Sequence, residues 1–221
     1  NGGGVNMTGG LVSNCLIAGN STYYRGGGVY LAGGRMVQCV ITNNACWVTC
    51  GGGVDVEGGQ LVNCLIARNR LTHATSIQGG GIYQAGGTLV HCTVVDNTLA
   101  SGNTGAGLYQ TGGAATNSIC YYNGAAYPAS GGENVYAGGG TIVYSCAQPL
   151  PAGAGNLESA PDFVARADGN YRLSFGSPCV DAGTNLAWLT RDLEGNLRPE
   201  DGNGDGPAVL DLGCYERGPT G

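Results

Sequence analysis

Lysine is missing altogether. The nine basic residues of this 221-residue chain are all arginine, against fifteen acids, for a net charge of -6. A nucleic-acid partner needs a basic face to neutralise phosphate, so composition excludes one. Charged residues of both signs make up only 11%, yet no apolar run approaches the roughly 18–20 residues of a membrane-spanning helix. No transmembrane segment is expected. Histidine is scarce: His73 and His91 are the only two, and neither sits in a partner motif that would make it catalytic. The cysteines lack the CxxC and histidine spacings of a zinc site. Proline numbers only eight, and no strict Gly-X-Y period accompanies the 44 glycines, which excludes collagen. The glycine runs are not followed by Lys, Ser or Thr at phosphate-loop spacing. With 42% apolar residues the chain has material for a core and is not a disordered linker. There is no secretion leader either. The chain opens at Asn1-Gly2-Gly3-Gly4-Val5, already inside a repeat, and reads as a processed or partial chain.

What is present is a repeat. GGGVYLAGGRMVQCVITNN at Gly26, GGGVDVEGGQLVNCLIARN at Gly51 and GGGIYQAGGTLVHCTVVDN at Gly79 are copies of one unit. Further starts fall at Gly2, Gly105 and, less cleanly, Gly131 or Gly132, so the period is near 25 residues. Four apolar ladders run through the units. They are Val5, Val29, Val54, Ile82, Leu108, Val135; then Val12, Met36, Leu61, Leu89, Ala115, Ile142; then Cys15, Cys39, Cys64, Cys92, Ser118 and either Ser145 or Cys146; then Ile17, Ile41, Ile66, Val94, Cys120. The last two ladders are two residues apart, which places both on one face of a strand. Each unit is too short for a βαβ element and carries no helical stripe. Short strands broken by Gly-Gly and Asn turns at this period predict coils of a parallel β-helix, stacked about 4.8 Å apart. The expected fold is all-β: a right-handed, single-stranded parallel β-helix of about six coils over residues 1–146.

The Asn20, Asn44, Asn69, Asn97, Asn123 series falls five residues after each Cys/Ser position. Asn tolerates left-handed turns and its amide bonds to the next Asn in a stack, so this series is read as a turn ladder. Asn20-Ser21-Thr22 and Asn6-Met7-Thr8 are glycosylation sequons, but a stacked Asn20 would be inaccessible. Residues 147–221 break the period and hold eleven of the fifteen acids. They are expected to form a non-repetitive cap packed on the end of the helix, covering a β edge that the last coil would otherwise leave unpaired.

The repeats resemble those of polymorphic outer-membrane proteins and related pectate-lyase-like surface proteins. The tail is similar to the choice-of-anchor Q type of extracellular bacterial protein. The residues behind this are Gly155-Asn156-Leu157 to Pro161-Asp162-Phe163-Val164, Asp168-Gly169-Asn170-Tyr171-Arg172-Leu173, Ser177-Pro178-Cys179-Val180-Asp181-Ala182-Gly183, Arg191-Asp192-Leu193-Glu194-Gly195 to Arg198-Pro199, and Asp211-Leu212-Gly213-Cys214-Tyr215-Glu216. The resemblance implies a secreted or surface-anchored β-helix and carries no catalytic residue. Cys179 and Cys214 both stand where the family pattern has Ala, and two matched departures suggest a bridge between them. Cys46 and Cys50, in the loop before the third coil, are candidates for a second, local bridge. The ladder cysteines read as free, buried thiols.

Three constellations could carry chemistry. Asp201, Asn203 and Asp205 with Gly206, and Asp211 further on, resemble the start of a calcium loop, though an EF-hand would have its bidentate acid one place later. A structural Ca²⁺ is the only cofactor suggested. Asp55 and Glu57 alternate with Val54 and Val56, so both should face outward, about 7 Å apart, a spacing that suits an inverting glycosidase pair. Arg35 and Arg68 are isolated candidates for a lyase base. Tyr30, Tyr83, Tyr109 and Tyr136 form an outward column that either lies under a neighbouring chain or offers rings to a glycan. The preferred function is a non-catalytic extracellular or cell-surface protein: an adhesin, or a subunit of an extracellular assembly. Its partner is a protein or another copy, met through the ends or faces of the helix. The alternatives are a polysaccharide-active enzyme using Asp55 and Glu57, or a glycan-binding module.

Overall fold

The computed structural model describes residues 1–73, 78–100, 104–125 and 134–219. The less clean repeat start at Gly131 or Gly132 lies outside them. The chain forms a parallel β-helix of about five turns, close to the expected number. Each turn contributes to three parallel sheets. One sheet begins with two nine-residue strands, Val5–Ser13 and Val29–Val37. Later turns split this strand in two at the Gly-Gly pair, as in Val54–Val56 and Gln60–Val62. A second sheet stacks Leu16–Ala18, Val40–Thr42, Leu65–Ala67, Thr93–Val95, Ile119–Tyr121 and Cys146–Ala147. The third stacks two-residue strands from Ser21–Thr22 to Gly124–Ala125.

The register matches the ladders. Val29 pairs with Val54, which pairs with Ile82, which pairs with Leu108. Met36, Leu61 and Leu89 align likewise, as do Ile41, Ile66 and Val94. Because Ile119 pairs with Cys146, Ser145 is the residue that continues the cysteine ladder. Ser118 Oγ accepts from Cys92 N, and Ser145 Oγ from Ser118 N, both at 3.1 Å. These ladders form one continuous buried core. Only small side chains occupy this position: four Cys in the first four coils, then Ser118 and Ser145.

The asparagine stack is complete. Asn44 Nδ2 and N donate to Asn69 Oδ1, and Asn69 Nδ2 and N donate to Asn97 Oδ1, all at 2.9–3.0 Å. Asn123 takes Asn97 in the same way, and Asn134 Oδ1 accepts from Asn123 N at 2.6 Å. Each interior Asn also donates to a backbone carbonyl, as Asn69 does to Ile41. The glycine run belongs to this stack. A Cβ on Gly53 would lie 2.7 Å from Asn69 Nδ2, so only glycine lets the amide pass, while Gly51 takes a left-handed φ of 67° that glycine adopts without strain.

The tail departs from expectation. Residues 153–157 do close the last coil: Leu157 bridges Cys146, and Asn156 Oδ1 accepts from Ser145 N at 3.0 Å. The remainder is not an end cap. It turns back and runs along the outer face of the second sheet as far as the second coil, where Gln38 Nε2 donates to Asp192 O at 2.6 Å. It brings one hairpin, Phe163–Ala165 with Asn170–Leu173. The reason is apolar. Leu65, Ala67, Thr93, Val95, Ile119 and Tyr121 point away from the helix core and would be exposed on a bare face. Under the tail they are buried against Leu173, Cys179, Leu212 and Cys214.

Candidate functional site

Asp55 and Glu57 do not form an open pair. Both leave the core face of the strand, since Val54 and Val56 take it. Asp55 nevertheless has no exposed surface, because Arg25 from the preceding turn folds over it. Arg25 Nε donates to Asp55 Oδ2 at 2.6 Å and Nη2 to Oδ1 at 3.2 Å. The same guanidinium reaches the Glu57 carboxylate, and the Cys50 thiol donates to Asp55 Oδ2 at 3.3 Å. Burial raises the Asp55 carboxyl, against the opposing pull of Arg25. Burial and the Asp55 charge push the Cys50 thiol up to about 12. One cation bridging two carboxylates, with the inner one covered, is a structural clamp across adjacent turns. It gives a substrate no acid and base on opposite faces. Both acids do leave the core face and Glu57 stays exposed, but Asp55 is covered by Arg25, which sequence spacing did not connect to them. Arg35 and Arg68 are engaged elsewhere, over the rings of Trp188 and Tyr171 in the tail.

The tyrosine column is real, and Asp55 does interrupt it, in register with Tyr30 and Tyr83. Tyr83 stacks on Tyr109 at 5.8 Å between centroids, and Tyr109 on Tyr136 at 4.4 Å, nearly parallel. Tyr30 lies under Arg25. The ring faces are therefore turned to one another. A sugar stacks on an open face, and this column presents mainly edges.

The four proposed calcium ligands are not brought together. Asp201 accepts from Gly204 N and Gly206 N, and Asn203 and Asp205 bond to each other, so the turn satisfies itself. Asp211 is buried elsewhere, accepting from Asp181 N and Arg217 N. Burial and the Glu216 charge raise it to about 8. Among the described residues no cluster of three His, Cys, Asp or Glu could hold a metal. The cysteine pairings are corrected too. All ten cysteines are free thiols. The Cys46 thiol donates to Tyr24 O and the Cys50 thiol to Asp55, so each is turned to a different acceptor. Cys214 lies in the cluster around Val95 and Tyr171, with its N–H on Thr93 Oγ1, whereas Cys179 lies in the cluster around Ile119 and Cys146.

Two features organise the surface, and reading the ladders alone missed the first. The first is the corner column one residue before the cysteine ladder: Asn14, Gln38, Asn63, His91, Asn117 and Tyr144, all left-handed with φ of 47–52°. The coil turns there, so these side chains point out of the tube, and the tail is threaded onto them. Asn63 Nδ2 donates to Arg191 O and its Oδ1 accepts from Arg198, at 2.6 and 2.7 Å. His91 Nδ1 meets Gly213 O at 3.3 Å, while Asn117 Nδ2 donates to Thr184 O at 2.8 Å and contacts His91 Nε2 at 2.7 Å. Burial and Arg198 lower His91 well below its usual range, so it is a neutral clasp. The Arg198–Glu216 pair at the centre of this seam is fully buried. The available signal was the recurrence of Asn, Gln or His directly before Cys. Beside the seam, Arg172, Glu194, Leu197 and Glu200 help line a cleft of about 560 Å³, where Arg172 is turned onto Glu194.

The second feature is the first coil. Its strands at Val5–Ser13, Leu16–Ala18 and Ser21–Thr22 each pair on one side only, with the second turn. Cys39, Asn44 and Met36 have no exposed surface, but their first-coil counterparts Cys15, Asn20 and Val12 are exposed or half-buried. Leu11 is 65% and Leu16 70% exposed. Leu16 is the first-coil counterpart of Val40 and Leu65, the face that the tail covers in later turns. Residues 1–24 contain no Asp, Glu, Lys, Arg or Pro, the residues that ordinarily guard a sheet edge. No family model, curated protein or solved structure matches the chain, so the resemblance of its repeats and tail to surface β-helix proteins rests on the motifs themselves.

Proposed function

We propose that the chain is a non-catalytic extracellular or cell-surface structural protein, an adhesin or a subunit of an extracellular assembly. The observation that carries this reading is the Arg25 clamp: one guanidinium joins Asp55 to Glu57 and leaves Asp55 no exposed surface, so the coils offer packed ladders and no open acid–base pair. The extracellular setting is supported by the tail motifs and by the low-charge, glycine-rich coils they accompany. A non-catalytic role accords with Asp55 lying sealed under Arg25.

Incubation with plant, algal and bacterial polysaccharides, read out as new reducing ends or unsaturated products, tests the proposal. No turnover is expected. Turnover that Asp55→Asn with Glu57→Gln abolishes refutes it.

A further inference from the structure

We propose that Tyr109 and Tyr136 are a site of oxidative cross-linking, where a haem peroxidase and hydrogen peroxide join the two rings as dityrosine and staple the last two coils together. The two residues are register partners on adjacent parallel strands. Their ring centroids lie 4.4 Å apart and the rings are 9° from parallel. The other pair in the same stack, Tyr83 and Tyr109, is wider at 5.8 Å. The sequence makes room for the tighter pair. Two residues beyond each stacked tyrosine, the earlier coils carry Ala85 and Thr111, whereas the last carries Gly138. A Cβ on Gly138 would lie 2.6 Å from Tyr136 Cε1 and 3.2 Å from its Oη, so the Tyr136 ring lies over that glycine. Both rings turn an edge outward, where an oxidant meets them: Tyr136 is 37% exposed and Tyr109 is half-buried.

Each phenol gives up one electron and one proton to the oxidant and becomes a neutral phenoxyl radical. The unpaired electron is shared between the oxygen and the ring carbons ortho and para to it. The para carbon carries Cβ, so the new bond joins an ortho carbon of one ring to an ortho carbon of the other. Each of these carbons then loses its hydrogen as a proton, and each oxygen takes one up, which restores both phenols. One hydrogen peroxide is reduced to two waters for each link. Stacking selects the rings, because the two radicals are already in contact and need no encounter. The other close tyrosine pairs among the described residues are set edge to face: Tyr23 with Tyr24 at 79° and Tyr121 with Tyr122 at 72°. Tyr30 lies under Arg25, and Asp55 separates it from Tyr83. The link would tie the strands Leu108–Gln110 and Val135–Ala137 covalently. The proposed extracellular location supplies the oxidising setting, whereas the coupling is tested on the purified chain, so the two readings fail separately.

Peptide mapping decides the matter. The full chain is treated at low concentration with a haem peroxidase and hydrogen peroxide, and the monomer fraction is collected. It is then unfolded and digested with elastase, which cuts at the Ala and Gly residues between the two rings. The expected result is dityrosine fluorescence and one main linked species joining the Tyr109 and Tyr136 peptides, lighter than their sum by two hydrogen atoms. Tyr109→Phe keeps a ring in the stack and should abolish the link, and Tyr83→Phe should leave it unchanged. Gly138 is exposed and outside the left-handed region, so Gly138→Ala should fold, displace the Tyr136 ring and lower the yield several-fold. Circular dichroism checks the fold of each variant, and the wild-type map decides even where one fails. A monomer without this link, a main product through any other tyrosine, an equal yield from urea-unfolded chain, or a yield that folded Gly138→Ala leaves unchanged overturns the proposal.

Discussion

Replacing Arg198 with Met should detach the tail while leaving the coils standing. The guanidinium donates to Glu216 Oε2 at 2.9 Å, Asn63 Oδ1 at 2.7 Å, and the carbonyls of Gly213 and Tyr215, both at 3.2 Å. Both members of the ion pair are without exposed side-chain surface. Met fills much of the same volume but supplies no donor. Glu216 would keep only the N–H groups of Glu200 and Asp211, and three further acceptors would lose a partner. Removing one partner of a buried pair costs about 3–5 kcal/mol, mainly from the charge left behind. Most of that cost falls on the seam, because Asn63 is the only coil side chain among the four acceptors. Urea denaturation followed by circular dichroism gives the loss, and hydrogen exchange locates it. Exchange should quicken across residues 185–217, whereas the amides of Val54–Val56 and Leu65–Ala67 stay protected. Adding Glu216→Gln to Arg198→Met should recover part of the loss by removing the stranded carboxylate. A loss below about 1 kcal/mol, or faster exchange spread evenly over the coils, would refute the view that this pair holds the tail to the helix.

Stability should also fall as pH rises from 6.5 to 8. Asp211 is raised by burial and the Glu216 charge to about 8, so in this window it is protonated when folded and ionised when unfolded. Folding then takes up a proton, and the loss is about 1.4 kcal/mol per pH unit. His91, lowered by burial and by Arg198, opposes this only below about 6.5, where the unfolded chain gains a proton the folded chain refuses. A urea midpoint that rises between pH 6.5 and 8 would contradict the assignment. In the asparagine stack, Asn69→Ala removes four hydrogen bonds and should cost about 3–4 kcal/mol at roughly 1 kcal/mol each. Asn20→Ala, in the first coil, removes two, to Asn44 Oδ1 and Ala18 O, in a half-buried setting and should cost about 1–2 kcal/mol. Equal costs would mean that the stack is not a cooperative ladder.

The repeat alone determined the parallel β-helix. When a unit recurs every 25 residues or so, each side chain meets its own counterpart one coil away, and the ladders become the core. Val54, Leu61, Cys64, Ile66 and Asn69 were placed correctly because their partners are dictated by register, a local and periodic property. The calcium set, the cysteine bridges and the Asp55–Glu57 pair were not legible in this way. Arg25 reaches Asp55 from the loop ahead of the preceding coil, and Asp211 is buried between Leu210 and Leu212, away from the exposed turn at Asn203–Gly206. Cys179 approaches Cys146 only because the tail folds back. These contacts depend on where a non-repetitive segment lies, and nothing in a period reports that. The outward Leu65, Val95 and Ile119 needed a cover, and the sequence contained the cover without stating its place. Only the tertiary structure decided that the tail lies along the side of the helix, since burying that apolar face costs less free energy than leaving it in water.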